Sequence, residues 1–218
     1  MRKLIVLLAV LAMPVPGLAE VVIWDNGMDY WGLVSSQWDT AYNLDSIVAD
    51  DFILEAPLTI VTGVHWIGGY WSFPHDGDFD WEITFYVDDG TGNRPDAITA
   101  GPFRFPEDQC NQTALPEDGY YDYSVDLADP VSFAADEKYW MSIQGIGDYP
   151  PQSGWGVHES ILLHMLVFKS VFYGYPDWTD SSEVFDTPYD AAFQLTGIPE
   201  PAPLALLTLG GLAMIRRR

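Results

Sequence analysis

Trp81-Glu82-Ile83-Thr84-Phe85-Tyr86-Val87 (WEITFYV) is the stretch whose reading decides the fold. Trp81, Ile83, Phe85 and Val87 fall on one side of an extended chain, and Glu82, Thr84 and Tyr86 on the other. This two-residue period is that of a half-buried strand. The run ends in Asp88-Asp89-Gly90-Thr91-Gly92-Asn93, closed by Pro95, which is turn chemistry. Working outward, the same alternation of apolar run and turn recurs. Before it come 21–24 (VVIW), 46–54 (SIVADDFIL) and 58–66, the last meeting Gly68-Gly69, a bulge or bend signal. After it come 97–105, 121–127, 139–146 and 191–197 (AAFQLTG). Residues 161–173 (ILLHMLVFKSVFY) are long enough for a helix, but their β-branched and aromatic ending and lack of caps favour strands, two with a tight bend. Nine or ten short strands without a long helix predict an all-β sandwich, jelly-roll-like, over residues 20–197. No fixed internal period is evident, which argues against propellers and solenoids.

The chain is rich enough in apolar residues, 48% with 15% aromatic, to exclude disorder. Its 32 acidic residues outnumber 9 basic ones. Five of those nine lie in the two end segments, so the body keeps only Arg94, Arg104, Lys138 and Lys169, with a net charge of about −27. That field excludes nucleic acid as a direct partner and repels anionic lipid or polysaccharide. Divalent cations, neutral glycans and basic partners stay open. Cys110 is the single cysteine. It has no intrachain partner and, with Asp108 nearby and no basic neighbour, no reason to be a nucleophile.

Both ends read as addresses. Arg2 and Lys3 precede an apolar stretch, residues 4–12, and Gly17-Leu18-Ala19 offers small residues for cleavage between Ala19 and Glu20, so residues 1–19 are expected to be a signal peptide. At the other end, residues 198–218 hold Pro199-Glu200-Pro201, the apolar run 204–215, and Arg216-Arg217-Arg218. As a short hydrophobic helix the run reaches only about 18 Å at ~1.5 Å per residue, against a hydrocarbon core of about 30 Å. The arginines favour the cytoplasmic side.

This tail resembles the PEP-CTERM sorting signal of exported bacterial proteins. The runs VADDFIL, TGVHWIGGYW, ITFYVDDGTG and KYWMSIQGIG resemble, more loosely, the sandwich domains that accompany it. The resemblance implies transient anchoring in the inner membrane, processing by an exosortase-like enzyme, and release to the cell envelope, cell surface or extracellular matrix. It implies no common activity for the body, so the chain is expected to be a secreted non-enzymatic protein.

Catalytic motifs fail residue by residue. His158-Glu159 begins like a zinc-protease pair, but Leu162 occupies the second ligand position and His164 comes two residues late. Gln152-Ser153-Gly154-Trp155-Gly156 lacks the glycine two before the serine that a nucleophile elbow needs. A glycosidase needs only two carboxylates at a set separation, so a hydrolase stays a third reading.

Two acidic stretches are candidates for calcium, the cofactor that remains open. Asp76, Asp78 and Asp80 alternate along an extended segment, and the loop carrying Asp88 and Asp89 could supply hard oxygen ligands. Neither has EF-hand spacing, since Trp81 and Val87 stand where its glycine and closing acid belong. Turn chemistry with a solvated acidic face is the favoured explanation of both. The nine tryptophans raise an alternative function, a secreted carbohydrate-binding module for extracellular polysaccharide. Trp81 and Trp140 alternate as core. Tyr70-Trp71 with Phe73, and Tyr173, Tyr175 and Trp178, lie near turns and are expected to be exposed, with Trp71 and Trp178 the candidate glycan contacts.

Overall fold

The computed structural model describes residues 20–72 and 79–198. Among them, fifteen strands follow in order: β1 (Val21–Asp25), β2 (Gly32–Ser35), β3 (Gln37–Asp39), β4 (Leu44–Ile53) and β5 (Ile60–Trp71). Then come β6 (Asp80–Asp88), β7 (Pro95–Phe105), β8 (Asn111–Ala114), β9 (Tyr120–Ser132) and β10 (Lys138–Gly147). Last are β11 (Gln152–His158), β12 (Val167–Ser170), β13 (Tyr175–Asp180), a short helix α1 (Ser181–Phe185), β14 (Asp190–Ala191) and β15 (Phe193–Ile198). The fold is all-β and built from two sheets.

The first sheet is organised on β5. One of its edges pairs with β9 from Ile60 to Gly69. The other pairs first with β15 and then, past Trp66, with β11. β1 lies beyond β15, β2 and β14 flank β11, and β8 lies beyond β9. The second sheet runs β13-β12-β4-β3-β10-β6-β7. In it β10 is antiparallel to β4 along its first half and parallel to β3 along its second.

The two sheets close over one aromatic core. Trp66 of β5 and Tyr123 of β9 are register partners and stack with centroids 5.1 Å apart, and Trp81 of β6 reaches them from the opposite sheet, 5.0 Å from Tyr123. Phe52, Phe85, Phe133 and Tyr139 form a second aromatic group in the same core, edge-to-face except for the stacked Phe52–Tyr139 pair. Trp81, Ile83 and Phe85 face inward, as their alternation requires. Thr84 and Tyr86, on the opposite side of β6, are also buried. The reason is a smaller cluster on the outer face of the second sheet, where Ala49, Tyr86, Trp140 and Val167 pack together with Trp178 against them. Trp140 is therefore buried in this outer cluster, not between the sheets.

The structure corrects the sequence reading in several places. Gly68-Gly69 is not a bulge: β5 keeps register with β9 through both residues. The glycines are there for close approach, since a Cβ on Gly69 would lie 2.2 Å from the Gly119 carbonyl oxygen. Tyr70 is core, 2% exposed, and packs against Phe79. Within 161–173 only residues 167–170 are strand. A turn over 171–174, with Gly174 at φ 89°, leads into β13. β2, β3, β8, β11 and β13 are additional strands. The expected signal peptide, the C-terminal segment from Pro199 onward, Phe73, Asp76 and Asp78 lie outside the described residues. Ile198, taken as the first residue of the tail, closes β15.

Candidate functional site

A cleft of about 470 Å³ opens at the end of the sandwich where β5 finishes. Five segments meet there: β3 with the turn after it, the start of β4, the end of β5 with Ser72, the loop between β10 and β11 with the first residue of β11, and the turn between β12 and β13. Its walls carry Tyr42, Trp71, Tyr149, Phe172 and Tyr173, and its polar lining is Gln37, Asp39, Asp45, Ser46 and Gln152. A second recess of about 330 Å³ shares Trp71 and Tyr173 with it and is also lined by Phe185. Among the described residues eight aromatic rings are exposed, and six of them line these two recesses. Exposed aromatic area is therefore concentrated here rather than scattered.

Local structure holds these groups in place. Trp71 lies over Gly154 of the neighbouring strand, where a Cβ would come 2.5 Å from Cζ3 of the indole. Glycine is required there to seat the ring. Ser72, the next residue, adopts φ 71°, a left-handed backbone unusual for serine. On the polar wall, Asp39 Oδ1 accepts backbone N–H groups from Ala41 at 3.0 Å, Tyr42 at 3.3 Å and Tyr149 at 3.4 Å. One carboxylate thus fixes the two loops that present Tyr42 and Tyr149. Gln152 Nε2 donates to Gln37 Oε1 at 2.9 Å and Ser35 Oγ at 3.0 Å, and Gln37 Oε1 also accepts the Ser153 N–H at 2.6 Å. Gln144 Nε2 donates to Asp45 Oδ1 at 2.6 Å. No hydrogen bond within the described residues uses Asp39 Oδ2, Asp45 Oδ2 or Gln152 Oε1. Among the described residues no cationic side chain lines the cleft.

Of the residues singled out from sequence, Trp71 is in this cleft and Trp178 is not. Trp178 is half-buried on the outer face of the second sheet, edge-on to Tyr86 at 6.1 Å and under the Lys169 ammonium at 5.8 Å. Tyr173 is exposed as expected, whereas Tyr175 is half-buried. Asp80 Oδ2 accepts from Arg104 Nε at 2.8 Å. Asp88 Oδ2 accepts the Gly90 and Gly92 N–H groups at 2.8 and 2.9 Å, and its Oδ1 accepts Trp140 Nε1 at 3.0 Å. Asp89 Oδ1 accepts the Thr91 N–H at 2.8 Å and hydroxyl at 2.6 Å, bonds that hold its carboxyl below the usual range. These are the bonds of a self-capped turn. Among the described residues no group of three metal-ligating side chains is placed to hold an ion. Glu20 Oε1 accepts from Thr196 Oγ1 at 2.8 Å and bonds Thr62. Cys110 is half-buried, and burial followed by the carboxylates of Glu107, Asp80 and Asp108 pushes its thiol up to about 12.

Sequence reading missed a buried acidic corner. Asp50, Asp51 and Asp190 all have negligible exposure. Asp50 Oδ2 accepts the Ala191 N–H at 2.6 Å and Asn26 Nδ2 at 3.1 Å, and its Oδ1 accepts the Asp51 N–H at 2.8 Å. Asp190 Oδ2 accepts the Leu162 N–H at 2.7 Å, while its Oδ1 is buried without a partner. Asp51 is paired with Lys138. Burial pushes the Asp190 carboxyl up to about 7, with Asp51 adding to it. Burial, then Asp190 and Asp51, push Asp50 well above the carboxylate range. A hint existed in Asp50-Asp51 interrupting an apolar run, but no local pattern pointed to Asp190.

Neither the family models nor the curated proteins compared with the chain match it. Among the described residues no helix is long and apolar enough to cross a membrane.

Proposed function

We propose that this chain is an exported, non-enzymatic protein of the cell surface or extracellular matrix, delivered by its two ends. In this reading residues 1–19 are removed on export between Ala19 and Glu20. The 198–218 segment holds the chain in the inner membrane as a short hydrophobic helix until an exosortase-like enzyme acts at Pro199-Glu200-Pro201. The body between them is a jelly-roll-like sandwich. One observation carries the proposal: a proline-flanked acid, a short apolar run and an Arg216-Arg217-Arg218 plug stand in that order behind a body with only four cations. Positive charge resists translocation, so the arginines mark the end that stays behind.

Intact-mass analysis of the protein recovered from its native cell surface tests this. The expected mass lacks residues 1–19 and is further altered at the C-terminal segment. Protein found in the cytosol with both ends intact overturns the proposal. The cleft favours a second reading for the body itself, that of a ligand-binding module.

A further inference from the structure

We infer that the cleft bounded by Trp71, Tyr42, Tyr149 and Phe172 is a binding site for a neutral oligosaccharide. A pyranose ring has two chemically different aspects. Its axial C–H faces are apolar and lie flat on aromatic rings, whose electron-rich faces attract them. Its edge is a row of hydroxyls that donate and accept in the ring plane. A site for it needs exposed rings on the walls and fixed planar acceptors between them, and this cleft has both. Tyr42 is 68% exposed, Phe172 59% and Trp71 36%. Between the rings, Asp39, Asp45 and Gln152 each keep one oxygen that no described residue uses. A carboxylate oxygen accepting a sugar hydroxyl makes the stronger, charge-assisted kind of hydrogen bond.

The site is built before a ligand arrives. Asp39 is held by three backbone N–H groups, Gln152 by Gln37 and Ser35, and Trp71 by its seat on Gly154. Preorganised groups lose little freedom on binding, which matters for a weakly held, hydrated ligand. A volume of about 470 Å³ falls in the roughly 300–1,000 Å³ range of small-ligand sites. That volume has room for more than one sugar ring. Charge selects the class. Among the described residues two carboxylates and no cation line the cleft, and the body as a whole is strongly acidic, so uronates and sulfated or phosphorylated glycans are repelled. An aliphatic ligand would bury Asp39 and Asp45 without giving them a donor, which is costly.

The test is titration calorimetry on the full chain held in detergent. It uses neutral gluco-, xylo-, manno- and galacto-oligosaccharides, with oligogalacturonate and alginate fragments as the anionic arm. At least one neutral series is expected to saturate the site and the anionic arm to fail. Trp71→Ala lowers the association constant roughly tenfold, the equivalent of one stacked ring. Asp45→Asn, which keeps an acceptor for Gln144, weakens binding severalfold without unfolding the chain. Trp38→Ala, an exposed ring of β3 outside the cleft, changes nothing. Saturation by no neutral glycan, or binding indifferent to both Trp71→Ala and Asp45→Asn, overturns the inference. Export plays no part in the measurement, so intact-mass failure and binding failure stay separate. Release of new reducing ends from a bound glycan would overturn the non-enzymatic reading and leave the binding site standing.

Discussion

Replacing Asp190 by asparagine should remove a pH dependence from the stability of this protein. Asp190 faces Asp50, Asp51 and Lys138, and its cross-strand partner is His158. Its folded-state pKa, about 7, lies above the ordinary value of 3.8. The folded state therefore holds the proton more tightly than the unfolded chain. The stabilisation is complete below about pH 4, is lost as pH rises, and is gone above about pH 7. A tenfold difference in proton affinity between folded and unfolded chain is worth about 1.4 kcal/mol, so the window spans roughly 4 kcal/mol. For a domain of this size that is a melting-temperature change of roughly 10 °C. Urea unfolding at pH 5, 6, 7 and 8 measures it. Asp190→Asn keeps an acceptor for the Leu162 N–H, should be more stable than the parent at pH 8, and should lose that advantage towards pH 4. Asp50, whose carboxyl is raised by the same burial, retains its own slope. Identical pH slopes for parent and Asp190→Asn would refute the placement of a tightly held proton on Asp190.

Three further outcomes are expected. Gly154→Ala should drive an added Cβ against both the Trp71 indole and the Val34 carbonyl oxygen, 2.7 Å away, shifting the tryptophan emission, weakening saccharide binding and lowering stability to urea. An unaltered emission spectrum would mean the ring tolerates the methyl group. Asp88→Ala removes the acceptor for Gly90, Gly92 and the Trp140 indole and should cost about 2–3 kcal/mol by urea unfolding, the buried indole N–H being the largest part. A loss below about 0.5 kcal/mol would show that water replaces all three bonds. Cys110, with its thiol raised to about 12, should react with iodoacetamide at pH 8 far more slowly than a free cysteine in the urea-unfolded chain. Equal rates would contradict its placement.

How much of this was legible in the sequence depends on what each residue type reports. Trp81, Ile83 and Phe85 announced a strand because burial on one face leaves a two-residue period. β11 was silent because Gly154 and Gly156 interrupt any such period, and their reason for being there is contact with Trp71 and Ile67 on another strand. Tyr70 and Trp71 are neighbours in sequence but opposite in fate: alternation sends one into the core and the other to the cleft. Turn proximity alone could not separate them. The cleft was visible only as a surplus of aromatics, since its walls come from five segments spread over residues 37–173. Trp178 had the same local signals as Trp71. It differs because Tyr86 and Lys169 lie beneath and above it, a tertiary fact.

β5 runs twelve residues, from Ile60 beside Ile198 to Trp71 at the cleft. At about 3.3 Å per residue that is some 36 Å. Glu20, tied to Thr196 and Thr62, and Ile198 both sit at the strand's starting end. Whatever is joined to Glu20 or to Ile198 therefore enters the sandwich at one pole, and the aromatic cleft opens at the other.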